Sequence, residues 1–262
     1  MVPASSPLVV GFAQIAPVWL DREATLKKVV ACIHNAADQG AQVVGFGECL
    51  VPGYPFWIEL TDGARFNDNR QKEIHAEYLR QAVTIEEDHL RTVQEACAAR
   101  HIMAVLGILE KPRDRGESVY ACCVVIGPLG DVLSAHRKLM PTYEERLTWS
   151  IGDGHGLRTH RIGEFTLGAL NCWENWMPLA RAALYGQGED LHVAIWPGSK
   201  RNTDDLTRFI AKESRSYVLS VSGLMRPIDF PQGTLHRDAI VAGYTDDDFL
   251  TDGGSCLAAP DG

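Results

Sequence analysis

The sequence predicts an α/β fold. Short apolar runs of strand length alternate with longer stretches in which apolar residues recur at helical spacing. Several such runs also follow one another without an intervening helix through the middle of the chain, so the sheet is not a simple doubly wound one.

Leu8–Ala13 reads as the first buried strand. Asp21 is placed to cap a helix in which Leu26, Val29, Val30, Ile33 and Ala37 share one face, and Gly40 suits its end. Ala41–Gly47 is again strand-like, closing a βαβ-like unit. Cys49 to about Asn69 reads as a long loop rich in Pro, Gly and aromatics. Glu86–Arg100 reads as a helix, with Leu90, Val93 and Cys97 on its apolar face. Ile102–Leu109, Val119–Ile126 and Asp131–His136 read as consecutive strands, the last two joined by a turn at Pro128-Leu129-Gly130. Phe165–Asn171 is a strand leading into a helical pattern at Trp176, Leu179, Ala180, Ala183 and Leu184. After strand Leu191–Trp196, Thr203 or Asp204 caps a helix running to about Ser216, and Val218–Ser222 is the next strand. No linker or repeat divides the chain, so one domain is expected.

Composition narrows the function. With 45% hydrophobic and 23% charged residues the chain is an ordinary globular one, not a disordered one. A net charge of −9, with no basic run longer than two residues, argues against nucleic-acid and anionic-membrane partners. The seven cysteines are an odd count without a C-x-x-C pair, which points to reduced thiols in a cytoplasm. The apolar N-terminal run is preceded by no basic residue, and no run approaches the roughly 20 apolar residues of a membrane span.

The nucleophile elbow, the phosphate loop and the zinc helix are absent as motifs. Gly152–Gly156 reads as a turn, and His155 and His160 as surface or hydrogen-bonding residues without the further ligands of a metal site. Three residues combine reactivity with position. Glu48 ends a buried strand, where partial desolvation raises a carboxyl group toward general-base range; an ordinary charge at a surfacing strand would look the same. Lys138 ends another strand and should stay cationic, facing developing negative charge or simply solvent. Cys172 lies where a strand turns into a helix, whose dipole would favour thiolate; a buried structural cysteine is the equal alternative. Strand ends on one sheet edge meet in space, so the three can form one nucleophilic site.

The segments Gly45-Phe46-Gly47-Glu48, His136-Arg137-Lys138-Leu139 and Asn171-Cys172-Trp173-Glu174-Asn175 resemble, in order, the three motifs of the nitrilase superfamily of carbon–nitrogen hydrolases. The resemblance runs from about Val9 to Pro260 and is strongest over His136–Ser199. It implies a four-layer α-β-β-α sandwich, with Glu48 as general base and acid, Lys138 as the oxyanion-side cation, Cys172 as nucleophile and Glu145 as a second, orienting glutamate. It implies no metal or organic cofactor. It also implies a homodimer or larger homo-oligomer built on the helices after Cys172 and Thr203. Cys-Trp-Glu followed by Asn175 and Met177-Pro178-Leu179 is similar to the true nitrilases, including arylacetonitrilases and cyanide hydratases and dihydratases. The implied reaction converts a small-molecule nitrile to carboxylic acid and ammonia; an amidase of the same superfamily, or a catalytically silent binding member, are the competing readings. Tyr54, Trp173 and Trp196 are candidates to line the substrate pocket, against ordinary packing roles. Family members commonly continue past the Gly253-Gly254-Ser255 strand, so the chain is expected to lack its C-terminal end.

Overall fold

The computed structural model describes residues 7–262. Two five-stranded sheets form its centre. The first contains β1 (Val10–Ala13), β2 (Val43–Phe46), β3 (Met103–Glu110), β4 (Tyr120–Ile126) and β5 (Val132–Arg137) in that spatial order. Its first three strands are parallel and the last two antiparallel. The second contains β6 (His160–Ile162), β7 (Phe165–Asn171), β8 (Leu191–Trp196) and β9 (Tyr217–Ser222), with the short β12 (Cys256–Ala258) antiparallel beyond β9. Strands β7, β8 and β9 are parallel. A small antiparallel pair, β10 (Leu224–Met225) and β11 (Thr251–Asp252), lies apart.

Side-chain alternation explains the layering. Met103 and Val105 of β3 point into the core between the sheets, where they meet Val193, Ile195 and Val221. Ala104, Leu106 and Ile108 point the other way, against Leu26, Val29 and Ile33 of α1 (Arg22–Asp38) and Val93 and Cys97 of α4 (Arg91–Arg100). Ala194 and Trp196 of β8 face Leu206 and Ile210 of α6 (Lys200–Ser214), while Leu170 packs on Leu184 of α5 (Pro178–Tyr185). The result is the α-β-β-α sandwich. The adjacent Cys122 and Cys123 take opposite faces, one in each core.

Several elements differ from the sequence expectation. The stretch after Cys49 is not all loop: it folds a short α2 (Phe56–Leu60), and an unanticipated α3 (Asn69–Arg80) follows, with Asp68 capping the Gln71 N–H. Only Ile74 and Tyr78 of α3 are buried, a stripe too narrow for periodicity to reveal. Helix α4 starts at Arg91, after a 3-10 turn at Ile85–Glu87. Helix α6 starts at Lys200, three residues before Thr203, whose hydroxyl is buried and donates to the Gly254 carbonyl. Asp21 does cap α1, accepting from the Ala24 N–H at 2.9 Å. Among the described residues, no helix is long and apolar enough to cross a membrane.

Candidate active site

Glu48 sits just beyond the end of β2. There the chain leaves the sheet, pairing with β3 again only at Val51 and Ile108. Gly107 makes this crossing feasible, because a Cβ at that position would stand 2.2 Å from the Gly47 carbonyl and 2.7 Å from the Glu48 Cα. The Glu48 N–H donates to the Trp196 carbonyl at 3.0 Å, which anchors the strand end of the first sheet to that of the second. Lys138 follows β5, its N–H held by the Ala121 carbonyl at 2.8 Å. Cys172 follows β7 and opens a five-residue 3-10 turn, Cys172–Trp176. Its φ of +41° is left-handed, a strained conformation for a residue with a Cβ. The three residues therefore stand at strand ends of two facing sheets, not on one sheet edge: Glu48 and Lys138 come from the first and Cys172 from the second.

The structure brings Glu48, Lys138, Cys172 and Glu145 together. The Lys138 ammonium lies 2.9 Å from Glu48 Oε1 and 2.7 Å from Glu145 Oε2. The reactive atoms of Glu48, Glu145 and Cys172 all fall within 4.8 Å of one another. Both glutamates and the lysine are buried, and the cysteine is partly accessible. Among the described residues, Glu48 Oε2 has no hydrogen-bond partner and Oε1 meets only the Lys138 ammonium. Glu145 is fixed from three sides: by Lys138, by the Thr142 N–H at 2.6 Å and by the Tyr54 hydroxyl, which donates to Oε1 at 2.8 Å. Its neighbour Glu144 is exposed.

Burial sets the protonation of this cluster. Desolvation pushes the Glu48 carboxyl up to about 8 against the pull of the Lys138 ammonium, and the Glu145 and Glu174 charges add to the rise. For Lys138 burial favours the neutral amine, but the neighbouring carboxyl groups of Glu48 and Glu145 outweigh it and hold the ammonium charged. Cys172 departs from expectation. Burial, followed by the Glu48 charge, pushes its thiol well above the usual range, and the Lys138 charge and the Trp173 N–H only partly offset this. A 3-10 turn this short aligns few peptide dipoles, so the anticipated thiolate stabilisation is overruled. Cys172 therefore favours the protonated thiol.

The aromatic candidates divide. Tyr54 belongs to the site through Glu145, and its ring packs edge-on to Trp149, which in turn lies 5.3 Å from the Lys138 ammonium. Trp173 is 46% exposed and stacks on Trp176. It lines an outer cleft of about 470 Å³ with Met140, Tyr143 and Met177. The Trp196 ring is buried in the α6 core against which Cys172 packs, with its Nε1 donating to Ser220 Oγ at 3.3 Å. It reaches the site by its backbone carbonyl. His155 and His160 stay apart from this cluster, and His160 bonds Ser134.

Sequence reasoning missed Trp149 and the second tier. Glu174, fully buried, accepts from the N–H groups of Asn171 and Leu139 and from His136 Nε2. Two sequence signals were present. Thr142-x-x-Glu145 and Asn171-x-x-Glu174 both have capping-box spacing, in which the glutamate turns back onto the first residue's N–H.

The family model for carbon–nitrogen hydrolases matches residues 9–262. The chain is 35% identical over 255 residues to a protein named nitrilase 2 from an unknown prokaryotic organism, with 97% of this chain and 77% of the relative covered. It is 33% identical to an arylacetonitrilase of Aspergillus kawachii, covering 98% and 78%. It is 36% identical to an aliphatic nitrilase of Sinorhizobium fredii, covering 86% and 71%. Among solved structures, an amidase from Nesterenkonia sp. shares the fold with a TM-score of 0.70 at 18% identity, over 100% of this chain and 86% of that one.

Proposed function

The chain belongs to the carbon–nitrogen hydrolase family, and from that membership we propose that it hydrolyses an organic nitrile to the carboxylic acid and ammonia. The observation that carries the reading is the ammonium of Lys138 held between the carboxyl groups of Glu48 and Glu145, beside a partly accessible thiol on a strained turn. Relatives named as nitrilases over nearly the whole chain support the substrate class.

In this reading Cys172 Sγ attacks the nitrile carbon while its proton passes to Glu48 and on to the nitrile nitrogen, which gives a thioimidate. Glu48 then takes a proton from an attacking water, and the negative charge of the tetrahedral state is met by Lys138 and the Trp173 N–H. Glu48 returns that proton to nitrogen and then relays the hydroxyl proton of the tetrahedral state to the same nitrogen, so that the C–N bond breaks, ammonia leaves and a thioester remains. A second water, activated in the same way, releases the acid and restores the thiol. One nitrile and two waters are consumed for one acid and one ammonia. Glu145, held by Tyr54 and Thr142, keeps the Lys138 ammonium aimed at the reacting centre.

The deciding experiment measures ammonia and carboxylate from aliphatic nitriles, aromatic nitriles, arylacetonitriles and cyanide, beside the matching amides. Release from at least one nitrile is expected. Release from amides alone would make the chain an amidase, and release from neither would leave a binding member. We also place the enzyme in the cytoplasm as a homodimer or larger assembly. The seven free cysteines support the first placement, and the exposed Trp176, Leu179 and Phe209 along the outer helices support the second. Light scattering of the wild type against Leu179→Asp tests the assembly.

A further inference from the structure

Beneath the nucleophile runs a buried chain of hydrogen bonds that the reaction does not use. Asn175 Nδ2 donates to the Cys172 carbonyl at 2.8 Å and toward the Leu170 carbonyl at 3.4 Å. Its Oδ1 meets His192 Nε2 at 2.7 Å, and His192 Nδ1 meets Glu189 Oε1 at 2.8 Å. Asn175 and His192 are completely buried and Glu189 nearly so. The directions follow from chemistry. Two carbonyls can only accept, so the amide NH₂ must face them and the amide oxygen must face His192. Nε2 therefore carries a proton and donates it. Nδ1 and the Glu189 carboxyl must then share a further proton, since two acceptors would repel at 2.8 Å.

The fold makes room for this arrangement. A Cβ at Gly168, the β7 residue paired with His192, would stand 2.1 Å from Glu189 Oε1. A histidine in the middle of the apolar β8 run would leave two unmet ring nitrogens without these partners. From the other side Arg181, itself paired with Glu213, donates to the Asn175 carbonyl at 2.8 Å.

We propose that Glu189 and His192 are positioning residues for the proposed nitrile-hydrolysing site. They lock Asn175, and Asn175 fixes the Cys172 carbonyl. That carbonyl belongs to the same peptide as the Trp173 N–H, the donor directed at sulfur and at the developing anion. The inference rests on the reading of Cys172 as nucleophile. It predicts that the Nε2 end of the imidazole matters more for turnover than its mere presence.

Two substitutions separate the ends. His192→Gln places an amide NH₂ where Nε2 stood and keeps the bond to Asn175. His192→Asn reaches only the Nδ1 position and keeps Glu189. With phenylacetonitrile as substrate, His192→Asn is expected to lose at least about tenfold in kcat with KM within about twofold, as removal of a transition-state interaction requires. His192→Gln is expected to stay within about threefold of wild type. Alkylation of Cys172 by iodoacetamide, followed by mass spectrometry, should rank the variants in the same order. Equal behaviour of the two variants, or wild-type turnover in both, would overturn the proposal. Should neither variant fold, ¹⁵N-histidine NMR of the wild type decides: a proton on His192 Nε2 supports it, and a ring protonated on Nδ1 alone refutes it. If the wild type turns over no nitrile, the alkylation ranking still tests the positioning role, so the two failures are told apart.

Discussion

Glu174 Oε1 accepts a 2.7 Å hydrogen bond from the backbone N–H of Leu139. One carboxylate two residues past Cys172 thus holds the residue directly after Lys138. Its second oxygen accepts from the Asn171 N–H at 2.9 Å, and His136 Nε2 lies 3.0 and 3.1 Å from the two oxygens. The latch joins the end of β5 in the first sheet to the end of β7 in the second, and so sets the distance between ammonium and thiol.

Glu174→Gln should therefore damage both stability and turnover. The glutamine keeps one acceptor oxygen and turns an NH₂ toward a backbone donor. We expect a loss of about 1–3 kcal/mol in unfolding free energy by urea titration and a fall in nitrile turnover of more than about tenfold. Although burial opposes it, the His136 charge and hydrogen bonds, with the two backbone N–H groups, keep the Glu174 carboxyl below its usual range. Its contribution is present above the usual carboxylate range and is lost as pH falls through its lowered value. Acid unfolding of Glu174→Gln should accordingly be less steep than that of the wild type.

Cys172→Ala should abolish turnover, and Cys172→Ser should not restore it, because a hydroxyl is a far weaker nucleophile. Cys49, buried beside Glu48 and bonded to the Tyr78 hydroxyl and the Gly53 carbonyl, is the control. Cys49→Ala should keep turnover within a few fold and cost about 1–2 kcal/mol in stability. Wild-type-like activity in Cys172→Ala would end the assignment of the nucleophile.

Glu48→Gln and Lys138→Met should each cost on the order of 10²–10⁴ in kcat. Lys138→Arg should not rescue, since a planar guanidinium cannot occupy the 2.9 and 2.7 Å positions of one compact ammonium between two carboxylates.

With desolvation holding Glu48 at about 8, the base form needed to accept the thiol proton is lost as pH falls through that value. The wild-type kcat/KM profile should show an acid limb near pH 8. Stability runs the opposite way. A raised carboxyl group favours the folded state at low pH, and that contribution is lost as pH rises from the usual carboxylate range through about 8. Thermal unfolding of Glu48→Gln should thus gain on the wild type as pH rises across that window.

Glu145→Gln should be severely impaired, because it weakens the hold on Lys138, while Glu144→Gln, whose side chain is exposed, should match wild type. Tyr54→Phe removes one of the three restraints on Glu145 and should cost about 1 kcal/mol of transition-state stabilisation, roughly fivefold in kcat/KM. A reversal between positions 144 and 145 would mean that the motif register is off by one residue.

Pattern along the chain carries information of short range. The βαβ-like start with Asp21 as cap, the strands at β3, β4, β7 and β8, and the candidacy of Glu48, Lys138 and Cys172 at strand ends all follow from periodicity and motif over a few residues. Helix α3 escaped because two buried residues make almost no periodic signal. Tertiary structure decided the rest. That Cys172 approaches from a second sheet depends on the packing of Val193, Ile195 and Val221 against Met103 and Val105, contacts far apart in sequence. The same packing desolvates the thiol, and this reverses the sign of its expected pKa shift, because burial and two neighbouring carboxylates outweigh one short helical turn. Trp196 shows the same limit, since which face of β8 its ring takes is set by where α6 docks. A local pattern reports which residues are buried; only the folded chain determines what each buried group meets.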